Sequence, residues 1–69
     1  MRLSTRNQLP GTVESIRFGD AMAVVKVTLT GGQSVTASIT REAAEDLALA
    51  VGAPVTVLIK STQVMLAVE

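Results

Sequence analysis

The chain is 69 residues long, with six basic and six acidic side chains, no cysteine and no histidine. That length bounds it to one domain, residues 1–69, and the missing residue types exclude a disulfide framework, a transition-metal centre and the usual His- or Cys-based catalysis, so no enzyme is expected. Zero net charge and a single aromatic, Phe18, argue against a nucleic-acid surface, which needs a basic field and stacking rings; no segment reads as a secretory leader or approaches the roughly 20 apolar residues of a membrane span, so the expected location is the cytoplasm and no membrane partner is expected.

The first element is an extended arm, "LSTRNQLPG" over 3–11, in which Ser4, Thr5, Arg6, Asn7 and Gln8 form an unbroken run of hydrogen-bond donors without an acidic residue. "TVESIRF" (12–18) is strand-like, but Val13, Ile16 and Phe18 break strict alternation and predict a bulge or a twisted strand. Gly19 and Asp20 read as a turn. "MAVVKVTLT" then alternates, with Ala23, Val25, Val27 and Leu29 on one face. Gly31–Gly32 predicts a hairpin turn, and "QSVTASIT" returns with Val35, Ala37 and Ile39 inward.

At Thr40 the period changes. Thr40 predicts a helix cap, Glu42 suits the first turn, and Ala43, Ala44, Leu47 and Ala48 form one apolar stripe. Gly52 is the expected stop and Pro54 prevents restart. Two more strands follow, "PVTVLIK" (54–60) and "QVMLAVE" (63–69), around a short Lys-Ser-Thr turn. Both are apolar on both faces, so a second layer or another subunit is expected to cover them. The resulting fold class is all-β: a five-stranded antiparallel OB-like barrel with one short helix between the third and fourth strands. A hydrophobic fraction of 48% in so short a chain makes self-association the available staple.

Little here supports catalysis. The serines have no base to activate them, Glu45 and Asp46 lie on the solvated helix face, and Gly31–Gly32 lacks the Lys-Ser/Thr and helix of a phosphate loop. Two stretches remain, Ser4-Thr5-Arg6-Asn7 and Lys60-Ser61-Thr62. Each joins a cation to hydroxyls, sits where backbone amides are free, and contains no carboxylate. That is the chemistry of an oxyanion site, although polar ends of this kind also occur simply as solvated segments.

"STRNQLPG", "TGGQSVTASIT" and "VTVLIKSTQVMLAV" together resemble the molybdate-binding Mop, or molbindin, family of TOBE-type domains. The family's opening Ser-Ala-Arg-Asn-Gln motif matches at Ser4, Arg6, Asn7, Gln8 and Gly11 and departs at Thr5; its late motif matches at Ile59, Lys60 and Ser61. The resemblance covers essentially the whole chain. It implies a hexamer, a trimer of dimers, holding molybdate or tungstate between subunits and no bare metal cation. It puts Ser4, Arg6, Lys60 and Ser61 at the anion, with backbone amides around Thr5 and Asn7 assisting. A second kind of site near the threefold axis is also implied, with the Thr40-Arg41 helix start a candidate. With no DNA-binding or ATPase segment in view, storage or buffering is the expected role. The alternatives at this stage are a nucleic-acid-binding OB-type module and a purely structural oligomerisation domain.

Overall fold

A computed structural model describes residues 2–69. Four strands and one short helix follow in order: β1 (Asn7–Phe18), β2 (Met22–Leu29), β3 (Ser34–Thr40), α1 (Arg41–Asp46) and β4 (Pro54–Ile59), then a 3-10 turn at Ser61–Gln63. The sheet is antiparallel throughout, in the order β3-β2-β1-β4.

β1 organises the fold. Its first half, Asn7–Thr12, pairs with β4, and its second half, Gly11–Phe18, pairs with β2. The arm therefore enters the sheet at Asn7, five residues before the strand expected from alternation alone. Pro10 obscures this, because it has no N–H and reads as a breaker. It is tolerated because pairing with β2 begins only at Gly11, and its carbonyl still accepts from the Thr30 amide at 3.2 Å. Gly11 is required by close approach: a Cβ there would meet the Thr28 carbonyl oxygen and Val27 Cγ1, each at 2.7 Å. The predicted irregularity is a bulge between Val13 and Ser15, which bends β1 across the two halves.

The hairpin β2–β3 forms as its alternation requires. Val25 and Val27 are buried with Val13, and Ile16, Leu29, Ile39, Leu49, Val55 and Val57 pack around them. Gly32, at φ 93°, closes the turn. Thr40 caps α1, its Oγ1 accepting from the Ala43 amide at 3.1 Å.

Two expectations are corrected. The helix ends at Asp46, well before Gly52. Ala48 takes a left-handed conformation at φ 51°, its amide donates to the Glu45 carbonyl, and the Leu49 amide donates back to the Ala44 carbonyl. This is a Schellman termination built on alanine instead of glycine; it turns Leu49 onto the core and leaves Leu47 67% exposed. The second correction concerns the fifth strand. Among the described residues, 64–69 pair with no strand, and the sheet has four strands, not five. The 3-10 turn directs the segment away from the body, with Met65 91%, Leu66 93% and Val68 98% exposed. The barrel is therefore open between β3 and β4. An apolar cleft of about 230 Å³ lies there, lined among others by Val25, Val27, Ala37, Ile39, Leu49, Val55 and Val57. Val35, Ala37 and Ile39 face inward as expected but stay half-buried, because nothing covers that side.

Candidate functional site

The β1–β4 ladder brings the two donor-rich stretches together. Its last rung pairs Asn7 with Ile59, and beyond it the strands part, Arg6 continuing into the arm and Lys60 into the 3-10 turn. Between the parted ends lies a cavity of about 490 Å³ lined by Ser4, Thr5, Arg6, Leu58, Lys60, Ser61 and Thr62. It holds two cations and four hydroxyls and no carboxylate. Among the described residues the salt bridge is Arg41–Glu45, so both cavity cations lack an acidic partner.

The turn adds main-chain donors. Its own bonds begin with the Gln63 amide on the Lys60 carbonyl at 2.8 Å, followed by the Val64 amide on Ser61 at 3.4 Å. The amides of Ser61 and Thr62 precede them, as the first amides of any helical turn do, without a carbonyl partner in the turn. A guanidinium fork, an ammonium, four hydroxyls and the first amides of the turn stand here without a negative side chain, so donors outnumber acceptors and the side-chain acceptors are hydroxyl oxygens. Such a set suits a small, fully deprotonated oxyanion better than one that carries a proton, because no carboxylate is there to accept that proton.

Of the residues expected at the anion, Ser4, Thr5, Arg6, Lys60 and Ser61 all line this cavity. Asn7 does not: its side-chain Nδ2 donates to the Ile59 carbonyl at 3.0 Å. Thr5 is half-buried and its carbonyl accepts from Gln8 Nε2 at 2.7 Å. Thr62 joins the lining, in keeping with its place in the Lys60-Ser61-Thr62 stretch. Leu58 is the lining residue that neither the donor pattern nor the motif picks out; an apolar side chain in a strand carries no such signal. At the other candidate position, Thr40 is occupied as a helix cap. Arg41 donates through Nη1 to the Gly19 carbonyl at 3.1 Å, pairs with Glu45 at 3.5 Å and lies 5.1 Å from the centre of the Phe18 ring. Those contacts tie α1 to the β1–β2 turn.

Residues 3–66 match the model of the TOBE domain. The chain is 39% identical to a probable molybdenum-pterin-binding protein of Haemophilus influenzae, with all of both chains covered. It is 45% identical over 67 residues to the molybdenum transport protein ModE of Herbaspirillum seropedicae, of which it spans 25%. Among solved structures, MopII from Clostridium pasteurianum superposes with a TM-score of 0.93 at 36% identity, covering 97% of this chain and 100% of that one. A molybdate-binding protein from Sporomusa ovata gives 0.91 at 36% identity, with 97% and 98% covered. The cytoplasmic molybdate-binding protein ModG, with molybdate bound, gives 0.84 at 43% identity, covering 88% of this chain and 43% of that one.

Proposed function

The chain belongs to the TOBE domain family and, within it, to the molybdenum-pterin-binding proteins, and on that premise we propose that it binds molybdate or tungstate as a tetrahedral dianion, in a storage or buffering role in the cytoplasm. It does so as one Mop-type domain, with Ser4, Thr5, Arg6, Lys60 and Ser61 around the anion. The observation that carries this reading is the convergence of Arg6 and Lys60, each with neighbouring hydroxyls, on one cavity without a carboxylate. A unit charge at contact gains about 4 kcal/mol at an effective dielectric near 20, and a dianion gains about twice that from each cation. Hydroxyls and amides supply the directed bonds that offset dehydration. The cavity lining has no carboxylate, histidine or cysteine to activate its hydroxyls, which suits a cargo taken up and released unchanged.

The oligomer follows from the same chain end. Seven residues, 63–69, alternate Val64, Leu66 and Val68 on one face, and β3 has seven residues and a free edge. The segment of a second copy closes the cleft between β3 and β4, completes a five-stranded OB-like barrel, and sets the anion cavity beside a subunit boundary. A hexamer built as a trimer of dimers is the assembly proposed. Calorimetric titration with molybdate, sulfate and phosphate tests the ligand, and native mass spectrometry tests the assembly. Absence of molybdate binding would end the first proposal, and a folded monomer at low micromolar concentration the second.

A further inference from the structure

We infer that Asn7 and Gln8 are positioning residues of the oxyanion cavity, holding its two cations across one opening before any anion arrives. The inference rests on the oxyanion reading above. Asn7 and Ile59 form the last rung of the β1–β4 ladder. One rung further, Arg6 and Lys60 would stand directly opposite, and like charges so placed repel. The ladder stops there, and the cavity occupies the fork. Two ends of like charge splay unless the base of the fork is held. The Asn7 side chain holds it, its Nδ2 donating to the Ile59 carbonyl at 3.0 Å between partly buried partners. Its donor belongs to the residue after Arg6 and its acceptor to the residue before Lys60.

Gln8 acts on the other limb. Its Nε2 donates to the Thr5 carbonyl at 2.7 Å and so folds the arm around Arg6. Neither carboxamide lines the cavity, so neither is a ligand; each fixes the limb that carries a cation. The chemistry of the brace is specific. A carboxylate at the same place would draw the cations together but would also oppose the incoming anion. A neutral amide fixes the geometry and leaves the field positive. Donors already converged spend less of their interaction on being ordered when the anion binds.

Asn7→Leu keeps the volume and removes the donor; Gln8→Met does the same at an exposed position where folding is not at stake. Each is titrated as the intact assembly with sodium molybdate and with sodium sulfate, beside the parent. Molybdate affinity is expected to fall about fivefold in each variant. The molybdate-over-sulfate ratio narrows while the unliganded thermal midpoint stays near the parent's. A lowered midpoint with the parent's affinity and ratio would make both residues ordinary fold contacts and overturn the inference. If Asn7→Leu does not assemble, Gln8→Met decides. Variants that bind like a molybdate-binding parent overturn this inference alone, whereas a parent that binds no molybdate removes the oxyanion reading and this inference with it.

Discussion

Leu66→Asp probes assembly at a residue the isolated chain does not use. Leu66 is 93% exposed and Val68 98%, so neither supports the four-stranded core; Val64, 46% exposed, lies outside the core cluster. Moving one such side chain from water to an apolar site is worth about 1.5–3 kcal/mol. With Leu66 and Val68 fully transferred and Val64 half transferred, each segment docked as proposed would contribute about 4–8 kcal/mol before ordering costs. Aspartate at 66 removes about 2 kcal/mol of that and adds several more for desolvating a carboxylate in a cleft lined by valine, alanine, isoleucine and leucine. A swing of about 5 kcal/mol per segment moves the dissociation constant by more than three decades. Native mass spectrometry and light scattering over a concentration series read this directly, with circular dichroism reporting the sheet. The variant is expected at lower mass with its antiparallel signal retained. The parent's mass at every concentration would show that this segment does not close the cleft.

Arg6→Ala and Lys60→Ala each remove a charged donor from the cavity and should weaken molybdate binding roughly tenfold to a hundredfold by calorimetry. Because Arg6 and Lys60 line one cavity that has no carboxylate, neither substitution should lower the unliganded thermal midpoint; Arg41→Ala, which cuts the tie between α1 and Gly19, should lower the midpoint slightly and leave affinity unchanged. Phosphate, protonated at neutral pH, brings an O–H to a site whose side-chain acceptors are hydroxyls otherwise used as donors to the anion, so competition at pH 7 should show it displacing molybdate poorly at comparable concentration. Gly11→Ala forces a Cβ against backbone and side chain at 2.7 Å and should cost about 1–3 kcal/mol, seen as a lower midpoint in thermal unfolding.

The hairpin was legible because its two strands alternate cleanly and a diglycine joins them. The start of α1 was legible in Thr40, whose cap bond is local. Its end was not: Ala48 takes a glycine-like conformation because Leu49 gains the core, a tertiary gain that no local pattern announces. The arm's entry into the sheet at Asn7 was hidden by Pro10, whose cost vanishes only because β2 has already ended beside it. The segment 63–69 has the sequence of a strand and lacks only a partner within its own chain. The two halves of the cavity could be named from their donor content, but their meeting depends on a contact between residues 52 apart in sequence. Composition carries no information about such a register; the resemblance to a known family supplied it. The same resemblance placed the Asn7 backbone amide beside the anion, and no local pattern announces that its side chain reaches the Ile59 carbonyl instead of the cavity.

Two free sheet edges and an uncovered apolar tail also shape the life of a newly made chain. In the single chain, the outer edges of β3 and β4 are a template for any extended polypeptide nearby. In the assembly proposed above, closure is bimolecular, so its half-time would lengthen as the chain becomes scarcer, while misdirected pairing with abundant strangers would proceed at a rate the chain's own scarcity does not slow. Slow synthesis would be the hazardous regime for a chain that assembles in this way. Bursts of translation, or several ribosomes on one message delivering neighbouring chains together, favour the productive encounter.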